Sequence, residues 1–218
     1  MKSVRQYLLA LAGSWLSLAF AGPSSAAVPE ARDSVQSRWT LYAGQLADND
    51  LPRFAGDTLR GRLQWRDSYF LGASYMQPIT PPDWLHEAAG RIGLKRISHD
   101  IEWVGIQHFS GQHNPEIAVA YMVHTPQAEW GGIRLRAGGG VGPSLALGRP
   151  SAEDGPERQP DKRSRLQHYI ALELEATIPK LSPYSIVLRL HHRSGVYGLV
   201  APNGVGSNFV TLGLRFPF

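Results

Sequence analysis

The sequence lacks cysteine altogether, and beyond its first 27 residues it lacks any apolar run long enough to span a membrane as a helix. The first absence excludes a disulfide framework and thiol chemistry. The second excludes a helical membrane protein, and the mean hydropathy of −0.22 agrees. The sequence also has no large excess of positive or negative charge. Its formal net charge is +4, or +2 without Lys2 and Arg5. So small a charge gives no indication of a nucleic-acid partner.

The N-terminus has the pattern of a secretory signal peptide. A short positive region precedes an apolar stretch at 7–21, and small residues at 25–27 form a cleavage site. The alternative is an uncleaved anchor, but the stretch is shorter than the roughly 20 residues that a spanning helix needs. We therefore predict that residues 1–27 are removed on export and that residues 28–218 form a single domain.

The end of the chain alternates apolar and polar residues with period 2, which indicates strands whose two faces meet different surroundings. One face of the last strand is formed by Val210, Leu212, Leu214, Phe216 and Phe218. The apolar face of the strand before it is formed by Ile186, Leu188 and Leu190. A chain that stops on an aromatic residue after such a strand is typical of bacterial outer-membrane β-barrels.

Eight segments of this kind predict the fold class: an all-β protein, an antiparallel transmembrane β-barrel of the outer membrane with eight strands. Their lengths are near those of tilted spanning strands, about 9–11 residues. The predicted strands cover residues 37–47, 66–77, 99–110, 115–124, 131–141, 166–177, 183–194 and 207–218. An extra strand near 57–66 is the alternative for the first half of the chain.

Charged residues on two of these strands are expected to pair inside the barrel. Arg134 and Arg136 share one face of the fifth strand, and Glu173 and Glu175 share one face of the sixth. An eight-stranded barrel is just wide enough for side chains to fill it, so charges inside it must be paired. The same parity predicts that the side chains of His191 and Arg193 point inward and pair with these glutamates. The alternative is the polar face of a soluble sandwich.

Two other segments depart from regular strands. The connection at 78–98 is long, and residues 84–89 within it predict a helical turn. The glycine run at 138–142 does not follow the pattern of a phosphate-binding loop before a helix, and it is interpreted as the end of a strand and a turn.

The last two strands bring three polar residues together on the outer wall of the predicted barrel. A register with Leu190 opposite Val210 keeps the apolar residues outward and places His192 opposite Asn208. Ser194 lies on the same face, two residues further toward the loop. If both chain ends are periplasmic, these residues lie at the extracellular end of the barrel, level with the outer leaflet.

His192 and Ser194 supply a general base and a nucleophile at adjacent positions on one face of a strand. A serine hydroxyl is a poor nucleophile until a base takes its proton, and a histidine does so well when a third group holds its tautomer. Asn208 could orient the imidazole by accepting from its N–H. The alternative is a polar girdle in which His192 and Ser194 only touch lipid headgroups.

The motif His192-x-Ser194, followed by a loop with Pro, Asn and Gly, a polar residue and a final strand, resembles the lipid A 3-O-deacylases, the PagL family. The resemblance covers only the last two strands and their loop. It implies an eight-stranded outer-membrane barrel whose outer wall removes the ester-linked acyl chain at position 3 of lipid A. It also implies His192 as base and Ser194 as nucleophile, with no metal and no cofactor.

The resemblance implies a third site residue as well. A Glu in the family's last strand orients the histidine. Counted back from the C-terminus, that position is Asn208, and counted forward from His192 it is Gly206. Because asparagine cannot stabilise an imidazolium by charge, Asn208→Glu is expected to leave activity intact or raise it.

The sequence thus predicts a carboxylic ester hydrolase of the cell outer membrane that acts on lipid A in lipopolysaccharide. Backbone N–H groups near Gly195 and Gly198 are candidate oxyanion donors. The loop before the sixth predicted strand has four basic residues, Arg158, Lys162, Arg163 and Arg165. They either contact the phosphates of lipid A or are simply solvated with the loop. Formation of a homodimer is left open. The rival prediction is a non-catalytic outer-membrane barrel with a structural or adhesive role.

Overall fold

The structure, a computed structural model, describes residues 36–91, 96–153 and 163–218. The predicted signal peptide at 1–27 lies outside the described residues. The strands and helices, in chain order, are β1 (Arg38–Ala47), α1 (Leu51–Leu59), β2 (Trp65–Pro78), α2 (Asp83–Arg91), β3 (Ser98–Ser110), β4 (Pro115–His124), β5 (Ala128–Trp130), β6 (Ile133–Ala146), β7 (Leu166–Thr177), β8 (Ser185–Ser194) and β9 (Gly206–Pro217).

Eight long strands close into an antiparallel β-barrel. Neighbours follow the order β4, β3, β2, β1, β9, β8, β7, β6, and β6 pairs with β4 to complete the circle. The short β5 adds an edge to β6. β1 pairs with β9 from Arg38 opposite Pro217, at what we call the terminal rim, to Ala47 opposite Asn208, at the distal rim. The predicted fold class and the closure of the barrel by the first and last strands are confirmed.

The glycine run at 138–142 lies inside β6, so its interpretation as a strand end and turn is wrong. Its inward-facing members make room for large side chains of β4. A Cβ atom at Gly140 would lie 2.1 Å from Met122 Sδ, and one at Gly138 would lie 2.3 Å from His124 Cδ2. Because the missing side chains are filled by the neighbouring strand, the strand continues through a composition that usually ends one.

Helices occupy two connections between strands. The extra strand considered near 57–66 is wrong, because α1 occupies residues 51–59 and β2 begins only at Trp65. In the long connection after β2, the predicted helical turn is confirmed and extended to the helix α2. No helix among the described residues has both the length and the apolar character needed to cross a membrane.

Ion pairs lie inside the barrel, as predicted for Arg136, Glu173 and Glu175, and they share the interior with a buried apolar cluster that includes Phe70 and Phe209. Arg136 Nη2 lies 2.7 Å from Glu175 Oε2, and Arg215 Nη1 lies 2.7 Å from an oxygen of Glu173 and from one of Glu175. Arg189 contacts Glu173 as well. These side chains are almost fully shielded from solvent, so removal of any one would leave an uncompensated charge in the interior.

His191 points inward, but its predicted pairing with Glu173 or Glu175 is wrong. His191 Nε2 instead lies 2.9 Å from Glu116 Oε1, on β4 across the barrel. The cause is the height of the residues along the barrel axis. Glu173 lies opposite Arg189 in the β7–β8 register, two residues closer to the terminal rim than His191.

Arg193 also points inward, but its predicted pairing with Glu173 or Glu175 is wrong, because its partner is Glu153 in the connection between β6 and β7. Both carboxylate oxygens of Glu153 lie within 2.8 Å of Arg193 Nη1. Glu153 also accepts from Nε2 of Gln167 at 2.7 Å, and its backbone oxygen accepts from the N–H of Gly206 at 3.3 Å. The connection between β6 and β7 therefore reaches into the distal mouth of the barrel and is tied to the start of β9.

The outer wall of the barrel is apolar. Large exposed side chains face outward on most strands, among them Leu71, Trp103 and Leu212, which are 59%, 54% and 62% exposed. Buried charge inside and exposed apolar surface outside is the reverse of the distribution in a soluble protein.

Candidate active site

Polar residues of β7, β8 and β9 meet on the outer wall near the distal rim. The predicted register is confirmed: Leu190 lies opposite Val210, and His192 lies opposite Asn208. Ser194, the last residue of β8, follows two positions later on the same face. Since successive strand residues alternate between faces, the lumen contacts of Arg189, His191 and Arg193 require that His192 and Ser194 face outward.

The orientation of the Asn208 carboxamide follows from its two partners. Asn208 Nδ2 donates to the backbone oxygen of Asn49 at 2.7 Å, and a carbonyl oxygen can only accept. The amide nitrogen therefore faces Asn49, and Oδ1 faces His192 Nδ1 at 2.7 Å. Because Oδ1 also can only accept, the neutral imidazole carries its proton on Nδ1. Its Nε2 keeps a lone pair, which is the tautomer that a general base requires.

The His192–Asn208 pair is covered and does not lie open on the outer wall. His192 and Asn208 are 7% and 8% exposed. The cover is the connection from β1 to β2, residues 48–64, which we call the α1 segment. Phe54 of α1 packs into an apolar contact on the outer wall formed by Ala47, Leu172, Leu190 and Val210, with Leu51 and Leu63 of the segment.

The α1 segment is the part of the site that the strand pattern missed. A signal for it was present, since Asp50 is followed by Pro52 near the helix start and by apolar residues at helical spacing, Leu51, Phe54 and Ala55. This signal spans little more than two turns, and the expected strand near 57–66 competed with it. The segment changes the site from a lipid-facing surface to a partly enclosed one.

Ser194 has a histidine on each of two sides. His192 lies two residues earlier on the same face of β8, so the two Cα atoms are about 6.6 Å apart. His168 on β7 lies directly opposite Ser194, where Cβ atoms are about 5 Å apart. No described residue donates to or accepts from the Ser194 hydroxyl, and none bonds to the buried Nδ1 of His168. The sequence pattern alone does not place His168 beside Ser194, because that neighbourhood depends on the register of β7 with β8.

The loop after Ser194 is tightly folded. Tyr197 and Gly198 adopt positive φ angles of 53° and 93°. The N–H of Gly198 donates to the backbone oxygen of Gly195 at 3.2 Å, and the N–H groups of Val200 and Ala201 donate to the same oxygen. The Gly198 N–H is thus engaged within the loop, which leaves the backbone around Gly195 as the candidate oxyanion donor.

The basic loop residues are only partly described. Arg158 and Lys162 lie outside the described residues. Arg163 Nη2 donates to the backbone oxygen of Ser151 at 3.5 Å, and Arg165 Nε donates to that of Ala146 at 2.9 Å. Both arginines therefore contribute to the fold of the connection between β6 and β7.

An apolar groove of about 690 Å³ lies on the outer wall beside the site. Its outward-facing lining includes Gln45, Trp65, Tyr69, Leu188, Val210 and Leu212. Val210 belongs both to this groove and to the apolar contact beneath α1, and it is two residues from Asn208 on the same face. The groove thus begins beside the covered pair and runs along β9, β1 and β2.

No protein-family model matches the sequence, and a search of curated proteins found no match. Solved structures with similarity to this chain include that of the outer membrane enzyme PagL, at 13% identity and a TM-score of 0.49, covering 83% of this chain and 99% of that one. They include the N-terminal β-barrel domain of OprF from Pseudomonas aeruginosa, at 14% identity and a TM-score of 0.41, covering 84% and 98% of the two chains. The attachment invasion locus protein Ail of Yersinia pestis has 10% identity and a TM-score of 0.24, covering 84% and 99%. The barrel assignment rests on the strand pairings themselves and not on this likeness.

Proposed function

We propose that the protein is an outer-membrane serine esterase that hydrolyses an ester-linked acyl chain of lipid A at the outer leaflet. The observation that carries the proposal is the His192–Asn208 hydrogen bond of 2.7 Å on the outer wall, with Ser194 on the same face of β8. A nucleophile and an oriented base on the outside of a barrel meet substrate from the surrounding membrane and not from the lumen.

The distribution of apolar surface supports the membrane part of the proposal. An outward-facing apolar belt around a closed barrel satisfies the two demands of a bilayer, since it presents hydrocarbon to lipid and leaves no unpaired strand edge. If the start of β1 and the end of β9, at the terminal rim, face the periplasm, the distal rim lies in the outer leaflet. The site then meets lipopolysaccharide, whose acyl esters lie close to the headgroup.

The reaction follows the serine esterase sequence. Ser194 Oγ attacks the ester carbonyl carbon while its proton passes to His192 Nε2, and the carbonyl oxygen becomes an oxyanion. Collapse of this intermediate breaks the bond to the sugar oxygen, which takes the proton from His192 and leaves as an alcohol. Water then gives a proton to His192 and attacks the acyl carbonyl carbon. Collapse of this second intermediate breaks the bond to Ser194 Oγ, which takes the proton back from His192 as the fatty acid leaves. Asn208 holds His192 in the tautomer that begins each half of the cycle.

The groove supports an acyl-chain substrate. It is apolar along Leu188, Val210 and Leu212, and it opens toward the bilayer on the outer wall. An acyl chain that lies in it would exchange lipid contacts for protein contacts at little cost while its ester end extends past Asn208 toward Ser194. Binding of this kind fixes the ester relative to Ser194, and such positioning accounts for a large part of the rate in many enzymes.

A structural role is the second candidate, and one observation favours it. In the described residues His192 bonds to Asn208 but makes no hydrogen bond to Ser194. If the pair served only to fasten the α1 segment to the barrel, the bonds from Asn208 to His192 and to Asn49 would be sufficient. Ser194 would then be a polar residue at the rim.

The test is release of fatty acid from purified lipopolysaccharide by the refolded protein in detergent micelles. The proposal predicts release by the wild type and none by Ser194→Ala or His192→Ala. The matched control is Ser207→Ala, because Ser207 is a buried serine on the inward face of β9 and its loss should leave activity unchanged. Equal release by the wild type and Ser194→Ala, or release by neither, would exclude the esterase and leave the structural barrel.

A further inference from the structure

Asn49 makes side-chain hydrogen bonds that hold the α1 segment together. Its side chain is buried at 8% exposure, and Nδ2 donates to Asp57 Oδ2 at 2.8 Å and to the backbone oxygen of Arg62 at 3.3 Å. Its Oδ1 accepts from the backbone N–H of Gln64 at 2.8 Å. One carboxamide therefore ties the start of the segment to its helix and to its last residues before β2.

The side-chain contacts of Asn49 determine where its backbone oxygen points. That oxygen accepts from Asn208 Nδ2 at 2.7 Å, across a sequence separation of 159 residues. Without it, the two ends of the Asn208 carboxamide could exchange places, since no other contact of this side chain with a described residue distinguishes its nitrogen from its oxygen. An exchange would present an N–H donor to His192 Nδ1, and the imidazole would then carry its proton on Nε2.

We infer that Asn49 is a positioning residue for the site, and that it acts through Asn208 on the tautomer of His192. The inference rests on the proposed function, which gives the tautomer its importance. Asn49 lies two residues past β1 and is not part of the groove, so its contribution is to the chemical step and not to the binding of an acyl chain.

The residue type at position 49 fits this role. Only a carboxamide offers at one carbon both a donor for Asp57 and an acceptor for the Gln64 N–H. An Asn49→Asp substitution keeps the acceptor but sets two carboxylates against each other at a hydrogen-bond distance. The repulsion should displace the α1 segment, and a shift of about 1 Å in a supporting element can lower a rate about a hundredfold.

The double variant Asn49→Asp/Asp57→Asn reverses the two partners. The introduced carboxylate at position 49 would accept from the introduced amide at position 57 and from the Gln64 N–H. Only the longer bond to the Arg62 oxygen would be lost, so the segment should return close to its place. The matched control is Asp48→Asn, which removes the 2.6 Å salt bridge from Asp48, in the same segment, to Arg66 of β2 and leaves the contacts of Asn208 in place.

The experiment measures two quantities on the refolded full chain in micelles. The first is the tautomer of His192 from ¹⁵N and ¹³C shifts of labelled histidine, with the resonance assigned by its loss in His192→Ala. The second is kcat and KM for fatty-acid release from lipopolysaccharide. Asn49→Asp should lower kcat at least tenfold at unchanged KM and populate the Nε2–H tautomer. The double variant should restore both quantities, and Asp48→Asn should change neither.

Two results would overturn the inference. One is a wild-type tautomer and wild-type kcat in Asn49→Asp. The other is a loss of kcat in which the tautomer stays on Nδ1 and the double variant gives no rescue, which would mean a merely structural role. If Asn49→Asp does not fold, Asp57→Ala removes the acceptor without adding a charge and gives the same test. If the wild type has no turnover, the proposed function fails, and the tautomer measurement alone still decides the role of Asn49.

Discussion

His192 Nδ1 lies 2.7 Å from Asn208 Oδ1, and the direction of that contact is fixed by a second bond from Asn208 to the backbone of Asn49. Because both ends of its carboxamide are held, Asn208 selects the same His192 tautomer that an acidic partner would select. It does not supply the charge that stabilises an imidazolium. In the proposed reaction, His192 would therefore act as a general base whose protonated form is less stabilised than it would be beside a carboxylate.

This relationship reverses the expectation for Asn208→Glu. Glutamate has no donor for the Asn49 oxygen, and it adds a methylene group at a position that is 8% exposed. Because the correct tautomer is already supplied, the added charge has less to contribute than the lost contact and the steric strain remove. We expect fatty-acid release to fall and the free energy of unfolding to drop by about 1–3 kcal/mol.

The control for this variant is Asn208→Gln, which keeps both a donor and an acceptor but has the same added length. A higher rate for Asn208→Glu than for the wild type, measured on equal amounts of folded protein, would contradict this account. It would mean that charge limits the reaction and that the bond to Asn49 does not.

Substitution of His168 tests which histidine is the base for Ser194 in the proposed reaction. Its register places it closer to Ser194 than His192, but no described residue holds its Nδ1. We expect His168→Phe to retain most activity, whereas His192→Ala should lower kcat by about 10² to 10⁴. The comparison of the two variants in the fatty-acid assay decides the assignment, and a complete loss in His168→Phe alone would transfer the role of base to His168.

The cover over the site depends on one buried aromatic ring. Phe54 is the buried residue of α1 and packs with Leu190, whereas Leu59 at the end of the helix is 89% exposed. Phe54→Ala should loosen the segment and make trypsin cleave after Arg60 or Arg62 well before the barrel unfolds. Leu59→Ala is the control and should leave the cleavage rate unchanged. Equal cleavage rates would show that α1 is not held by this contact.

The interior ion pairs should dominate the stability of the barrel. Arg189 lies between Glu102 and Glu173, and all three side chains are almost fully buried. Arg189→Met would leave Glu102 without its cation and would remove one of the two arginines that contact Glu173, which keeps Arg215, and should cost about 3–5 kcal/mol. The exposed Arg53→Met is the control. The measurement is the temperature at which each refolded barrel loses its compact mobility in detergent gel electrophoresis, and similar temperatures for both variants would contradict the ion-pair account.

Much of the barrel and of the candidate site could be predicted from the period-2 pattern of the strands and the faces that it assigns. His192 opposite Asn208 followed from period 2 and from the requirement that Leu190 and Val210 both face outward, since a slip of one residue would reverse every face. The same rule could not place Glu153 or Asn49, because each lies in a connection without a period. Their positions depend on contacts formed with residues far away in sequence, Arg193 for the first and Asn208 for the second.

The measurement that tests the central claim most directly is the mass spectrum of lipid A from cells that express the wild type or Ser194→Ala. The two proteins should be present in the outer membrane in equal amounts, since the substitution removes one half-buried hydroxyl. The account predicts that the wild type gives lipid A lighter by one ester-linked acyl chain and that Ser194→Ala gives unmodified lipid A. Identical spectra for the two strains would contradict it.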